Sequence, residues 1–246
     1  MTETFVTSDS IRLWTVAEGG GPAIVLCNGG PGCCDYLAPV AAMLTGVGTV
    51  IRFEPCGCGR SAPASSYSVE TSLADLELIR QHYNIDQWII MGHSWGADLA
   101  LLYALHYPER VHGFVCIAGG RVHNDREWHR TYEQKREQER ATMPVFDYPP
   151  NMDVNIQVNR SWKQYIQRPL LFKGLAGLDR PALFVYGEDD IRPSWPVQQV
   201  AALLPQAQFR CIAGADHHIW VTHAAELEAL LQSFVRDVTR DSSITH

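Results

Sequence analysis

Gly92-His93-Ser94-Trp95-Gly96 is the segment whose residue types and spacing most directly imply chemistry. It lies between an apolar run, Trp88–Met91, and an apolar helical pattern that extends to His106. A serine at such a strand-to-helix junction sits on a sharp turn, where a small residue two positions to either side avoids a clash. The turn exposes the hydroxyl at the carboxyl edge of the sheet and aims the N-terminus of the next helix at it. A serine hydroxyl is a poor nucleophile until a base takes its proton and a third group holds that base. Both follow in the chain, in the order serine, acid, histidine. Tyr186-Gly-Glu-Asp-Asp190 comes after the run Ala182–Tyr186 and offers Glu188, Asp189 and Asp190. Asp190 is preferred, because a loop leaving through Gly187 brings its far end back toward Ser94; Asp189 is the reserve. Further on, the run ending at Ile212 leads into Asp216-His217-His218. His217 is the expected base and His218 its competitor, while Asp216 is too local to orient its neighbour's ring.

Acyl transfer also needs hydrogen-bond donors aimed at the oxyanion of a tetrahedral intermediate. Cys27-Asn-Gly-Gly-Pro-Gly32 follows the run Ala23–Cys27, and its glycines let the backbone approach a reacting carbon closely. The expected donors are the N–H of Gly30 and that of Trp95, the residue after the serine. A phosphate-cradling loop is the other use of such glycines. No lysine follows, and the G-x-G-x-x-G spacing is absent.

These residues need a frame in which loops converge on one edge. Short apolar runs alternate with longer helical patterns, which argues an α/β fold with a mostly parallel central sheet flanked by helices. The expected strands are Ile11–Val16, Ala23–Cys27, Thr49–Phe53, Trp88–Met91, Phe114–Ala118, Ala182–Tyr186 and Gln208–Ile212. Helical stripes appear at Leu73, Leu76, Ile79 and Tyr83, and at Leu227, Leu230, Leu231, Phe234 and Val235. From Val122 to Leu175 the strand signals fade and the chain turns charged and aromatic. Residues 122–175 are therefore expected to form a short helical lid inserted into a core made of 1–121 and 176–246. Trp162, Trp195 and Trp220 are expected to pack core and lid.

The chain has 246 residues, with 20 Lys+Arg against 27 Asp+Glu for a net charge of −7. Such a balance attracts neither phosphate backbones nor anionic lipid, so nucleic acid and membrane are not expected partners. No basic, then apolar leader is visible at the N-terminus, and no apolar run is long enough to cross a bilayer. Seven cysteines make an odd set for a disulfide framework, and a cytoplasmic location is expected. Cys33-Cys34 and Cys56-Gly-Cys58 lack the spacing of common zinc knuckles, so no metal and no organic cofactor is expected. The clustered cysteines read as small packing residues that rim the site.

The chain resembles the α/β-hydrolases, and Asn28-Gly-Gly-Pro-Gly32 together with Gly92-His-Ser-Trp-Gly96 is similar to their proline iminopeptidase branch. Glu188–Pro196 and His217-His-Ile-Trp220 resemble that branch's acid and histidine loops. The resemblance implies a triad of Ser94, Asp190 and His217, with Gly30 and Trp95 as oxyanion donors. It implies cleavage of an ester or amide in a small molecule or short peptide through an acyl-enzyme. Release of an N-terminal proline or similar residue is the branch's activity; a carboxylesterase or lactonase of small acyl groups is the alternative. A non-catalytic ligand receptor has no need of serine, acid and histidine together. Four departures are visible: Asn28 stands in place of a histidine, His93 in place of a glycine, Cys56 in place of an arginine, and the lid is short. Glu133, Glu137 and Glu139 could hold a substrate amine and Trp128 and Tyr132 could face one, or the acids could pair with Arg130 and Arg136 along their own helix.

Overall fold

Near-continuous Val, Ile, Leu and Phe suits a strand covered on both faces, and the middle of this sheet is built from such runs. The computed structural model describes residues 2–8, 11–137 and 143–242. Its strands are β1 (Thr2–Thr7), β2 (Arg12–Gly19), β3 (Ala23–Cys27), β4 (Thr49–Phe53), β5 (Trp88–His93), β6 (Val111–Ile117), β7 (Ala182–Gly187) and β8 (Ala207–Ile212). They form one sheet in the order β1-β2-β4-β3-β5-β6-β7-β8. β2 runs antiparallel to both β1 and β4, and every other neighbouring pair is parallel.

Alternate residues of the central strands feed two hydrophobic clusters, one on each face. Val25 and Ile90 join the first, with the helices α2 (Val69–His82), α3 (Trp95–His106) and α5 (Met152–Tyr165). Ile24, Leu26, Ile89 and Met91 join the second, with α1 (Ala38–Leu44), α8 (Ile219–Thr222) and α9 (Ala224–Ser242). Each such side chain removed from water contributes about 1.5–3 kcal/mol. The expected stripes point inward: Leu73, Leu76 and Ile79 are buried on α2, as are Leu227, Leu231 and Val235 on α9. Helix α7 (Trp195–Leu203) packs beside β7 and β8. No described helix is long and apolar enough to cross a membrane.

Between β6 and β7 lie α4 (Arg126–Lys135), α5 and α6 (Leu171–Ala176). Helix α5 does not sit apart from the core: Val154, Val158, Trp162 and Tyr165 are buried in the same cluster as the sheet. Asn151 caps it, accepting the N–H groups of Asp153 and Val154 at 3.0 and 3.3 Å.

Candidate active site

The parallel strands end at a common edge, and the loops that leave β3, β5, β6, β7 and β8 carry the residues singled out above. β5 ends at His93 and α3 begins at Trp95, leaving Ser94 alone in the turn with φ 56° and ψ −122°. A non-glycine residue in that region costs on the order of 1–3 kcal/mol, offset by packing around it. The flanking glycines are required by space. A Cβ on Gly92 would strike the Gly96 carbonyl, and one on Gly96 would strike the Cys27 carbonyl of the neighbouring strand. The Ser94 N–H is held by the Ile117 carbonyl at 2.9 Å.

Of the three acids after β7, Glu188 and Asp189 are exposed and Asp190 is buried. The Asp190 Oδ2 accepts from His217 Nδ1 at 2.7 Å, and its Oδ1 accepts from the Arg192 N–H at 2.9 Å. Glu188 instead takes the Gly214 N–H at 3.2 Å, and Asp216 takes the His218 N–H at 3.0 Å. Burial pushes the Asp190 carboxyl up to about 6. Burial, with the positive charge of Arg192 and His218 added, holds His217 well below the usual histidine range. Near neutral pH the pair is thus a carboxylate beside a neutral imidazole, with Nδ1 protonated and Nε2 able to accept a proton.

Two cavities meet at Ser94. One of about 220 Å³ is bordered by Gly30, Ser94, Trp95, Arg121 and Arg192. The other, of about 250 Å³, is bordered by Gly30, Tyr36, His93, Ser94, Arg192 and His217. Ser94 and His217 therefore face one space. Among the described residues, neither the Gly30 N–H nor the Trp95 N–H is taken by another group.

Tyr36 joins these loops and was not singled out by the sequence. Its hydroxyl lies 2.7 Å from the Gly29 N–H and 2.7 Å from His93 Nδ1, while His93 Nε2 lies 3.0 Å from the His217 carbonyl. A carbonyl only accepts, so His93 Nε2 carries the proton and Nδ1 accepts. The Tyr36 hydroxyl then donates to Nδ1 and accepts from Gly29. Burial and the neighbouring histidines keep His93 neutral, well below its ordinary value. A single chain of hydrogen bonds thereby runs from the glycine loop, past the residue before Ser94, to the backbone of His217. His93, His217 and His218 present ring nitrogens within 4.8 Å of one another, but both nitrogens of His93 are already engaged.

The glycine loop is held from its other side by the start of α5. Asn155 Nδ2 donates to the carbonyls of Gly30 and Pro31 at 2.9 and 2.7 Å. The Asn151 N–H donates to the Gly32 carbonyl at 2.8 Å, and its Nδ2 to the Gly57 carbonyl at 2.8 Å. Pro149-Pro150-Asn151 has the composition of a turn, but nothing local in the sequence encodes the contact it makes with the glycine loop.

The aromatic faces of α4 meet the protein's own cations. Arg121 lies 4.0 Å from the ring centre of Trp128, and Arg192 lies 4.8 Å from that of Tyr132. Glu133 pairs with Arg136 at 3.1 Å, and Glu139 lies outside the described residues. Trp162 and Trp220 are buried, whereas Trp195 is 38 % exposed beside His123. Cys33, Cys34, Cys56 and Cys58 are buried near the glycine loop, and Cys56 Sγ lies 3.0 Å from the Ala62 carbonyl. Burial raises these thiols, Cys56 to about 11 and Cys33 to about 12, which keeps them protonated.

A sequence model described as alpha/beta hydrolase fold matches residues 22–151, more than half of the chain. The chain belongs to the α/β-hydrolase fold family. Among curated relatives, the proline iminopeptidase of Saccharolobus solfataricus is 35 % identical over 107 residues, which is 42 % of this chain and 34 % of the relative. That of Neisseria meningitidis serogroup A is 34 % identical over 110 residues, 40 % of this chain and 34 % of the relative. The α/β-hydrolase matches about a third of the length of these curated relatives. Among solved structures, a thermophilic esterase from Thermogutta terrifontis superposes with a TM-score of 0.78 at 19 % identity, covering 97 % of this chain and 99 % of that one. That likeness is one of fold.

Proposed function

We propose that this α/β-hydrolase is a serine hydrolase that cleaves an ester or amide of a small molecule or short peptide through an acyl-enzyme. The observation that carries the reading is the 2.7 Å bond from Asp190 to His217, in a cavity that His217 shares with Ser94. Ser94 Oγ adds to the substrate carbonyl while its proton passes to His217 Nε2. Asp190 fixes the imidazole tautomer and balances the imidazolium. The oxyanion takes the N–H groups of Gly30 and Trp95. His217 then gives the proton to the departing oxygen or nitrogen, leaving an ester on Ser94, and water activated by His217 releases the acid. The helices between β6 and β7 act as the lid.

Similarity to proline iminopeptidases supports release of an N-terminal residue. One observation favours the second reading, a carboxylesterase or lactonase. The aromatic faces of Trp128 and Tyr132, expected to receive a substrate amine, are occupied by Arg121 and Arg192.

Treatment of wild type and Ser94→Ala with a fluorophosphonate, followed by assays on a prolyl-arylamide and on short-chain aryl esters, tests both. Labelling of wild type alone with ester turnover is the expected result. Turnover of the arylamide instead would establish the aminopeptidase reading. Equal labelling of the two proteins, or none, would refute the mechanism.

A further inference from the structure

Arg121 reaches the cavity beside Ser94 by a fixed route. After β6 ends at Ile117, Ala118 and Gly120 take positive φ values of 50° and 92°. Gly119 passes so close to the elbow that a Cβ there would strike the Ser94 carbonyl. Asp98, one turn into α3, accepts the N–H groups of Gly120 and Arg121 on one oxygen at 2.8 and 3.0 Å. This turn sets Arg121 on the border of the 220 Å³ cavity that Ser94, Gly30 and Trp95 also line.

Two rings then hold the guanidinium, Trp128 at 4.0 Å and Trp162 at 4.7 Å from their centres. One N–H of the five goes to the His123 carbonyl at 3.0 Å. Among the described residues no carboxylate comes within ion-pair distance of it. Asp190 is engaged by His217 and Arg192, and Glu133 by Arg136. Burial and the charge of Arg192 outweigh the attraction of Asp98, so the protonated guanidinium is less stable here than in water. Asp98 and Glu133 also border the cavity, but Asp98 spends one oxygen on the N–H groups of the turn and Glu133 pairs with Arg136, so neither lies against the guanidinium.

We propose that Arg121 is a subsite for a substrate carboxylate, so that the ester or amide cleaved at Ser94 carries a free carboxylate in the portion that fills this cavity. The inference rests on the serine-hydrolase reading of the same cavity. A planar guanidinium offers parallel donors that match a carboxylate, and clamping by two indoles removes most of the side-chain freedom that binding would otherwise cost. A carboxylate also supplies the direct counter-charge that no described carboxylate offers within ion-pair distance of Arg121.

The test compares substrates of equal chain length, mono-4-nitrophenyl glutarate and 4-nitrophenyl valerate. In parallel, 3-carboxyphenylboronic and phenylboronic acids serve as inhibitors that add to Ser94 without turnover. Wild type should prefer the carboxylate member of each pair by about tenfold to a hundredfold, the range of a charge-assisted contact. In Arg121→Gln the ratio should fall toward one. A packing role alone would lower both members together with the melting temperature and leave the ratio unchanged. Equal handling of the two members by wild type overturns the proposal without recourse to any variant. A preference that survives in Arg121→Gln overturns it too, by placing the carboxylate elsewhere. Failure of Ser94 to react with the fluorophosphonate removes the hydrolase reading and this inference with it. Labelled protein that lacks the preference removes the inference alone.

Discussion

Tyr36→Phe deletes one oxygen atom and breaks the link between the glycine loop and the histidine loop. The phenyl ring keeps its place against Trp220, at 6.2 Å and 24° between planes. The Gly29 N–H and His93 Nδ1 each lose a partner at 2.7 Å in buried surroundings. Each orphaned buried group costs about 1–3 kcal/mol, so the variant should lose about 2–6 kcal/mol of stability. At about 2–4 °C per kcal/mol for a chain of this size, the melting temperature should fall by about 4–24 °C. The functional effect follows from the neighbour of Gly29. The Gly30 N–H is the proposed oxyanion donor, and complete loss of such a donor costs about 10²–10³ in kcat. A loosened donor should cost about tenfold in kcat, with KM nearly unchanged, because the contact strengthens only as the oxyanion forms. The assay is steady-state turnover of a short-chain aryl ester beside a thermal melt. A melting temperature within 1–2 °C of wild type, below the smallest shift expected, would refute the buried chain. A lower melting temperature at unchanged kcat would show that the hydroxyl braces the loops without placing the donor.

Asp190→Asn should lower kcat by about 10³–10⁴, since the amide no longer enforces the tautomer or balances the imidazolium; retention of more than a tenth of turnover would contradict its role. The acid limb of the pH profile of kcat/KM should fall below the ordinary histidine range, because burial and nearby positive charge keep His217 neutral, and a limb at or above 6.5 would count against that histidine. Gly119→Ala should cost about 1–3 kcal/mol and slow fluorophosphonate labelling, as the added methyl drives the turn after β6 against the Ser94 carbonyl; a melt and labelling rate equal to wild type would show that the turn yields. Asp75 is buried with one oxygen on the Cys56 N–H at 3.1 Å, the other has no hydrogen-bond partner among the described residues, and burial pushes its carboxyl up to about 6 from an unfolded value of 3.8. Between those pH values the folded chain holds the extra proton, so wild-type stability from this group falls as pH rises. Asp75→Asn should therefore gain on wild type by up to about 3 kcal/mol from pH 4 to pH 6 and level off above, in melts across that range; a constant difference would show that Asp75 is ionised throughout.

The inner strands were legible because burial on both faces leaves little besides Val, Ile, Leu and Phe, and β3 and β4 carry the bounds their apolar runs imply. β1 was not read: four of the six residues of Thr-Glu-Thr-Phe-Val-Thr are polar, and as an edge strand it buries only part of its surface. The elbow was legible since its glycines answer to local collisions. The choice among Glu188, Asp189 and Asp190 rested on loop geometry alone, because all three are acids and only the partner across the fold separates them. Tyr36 and Asn155 were beyond the reach of sequence for one reason. Their partners lie 57 and 125 residues away, at His93 and Gly30, and no local pattern encodes such a meeting. Arg121 reads as an ordinary charge after a strand until the two tryptophans of the insertion close on it.

The asparagines at the start of α5 divide the insertion into two parts with different freedom to change. Residues 151–165 form a wall whose first turn is bonded to the carbonyls of the glycine loop. That helix cannot be replaced or lifted without disturbing the proposed Gly30 donor. The stretch carrying α4 touches the cavity through side chains such as Trp128 and Tyr132 and makes no such backbone tie among the described residues. Substrate range can accordingly be altered by exchanging the α4 stretch. A transplanted cap from a relative will support turnover only if it restores an amide side chain in the register of Asn155.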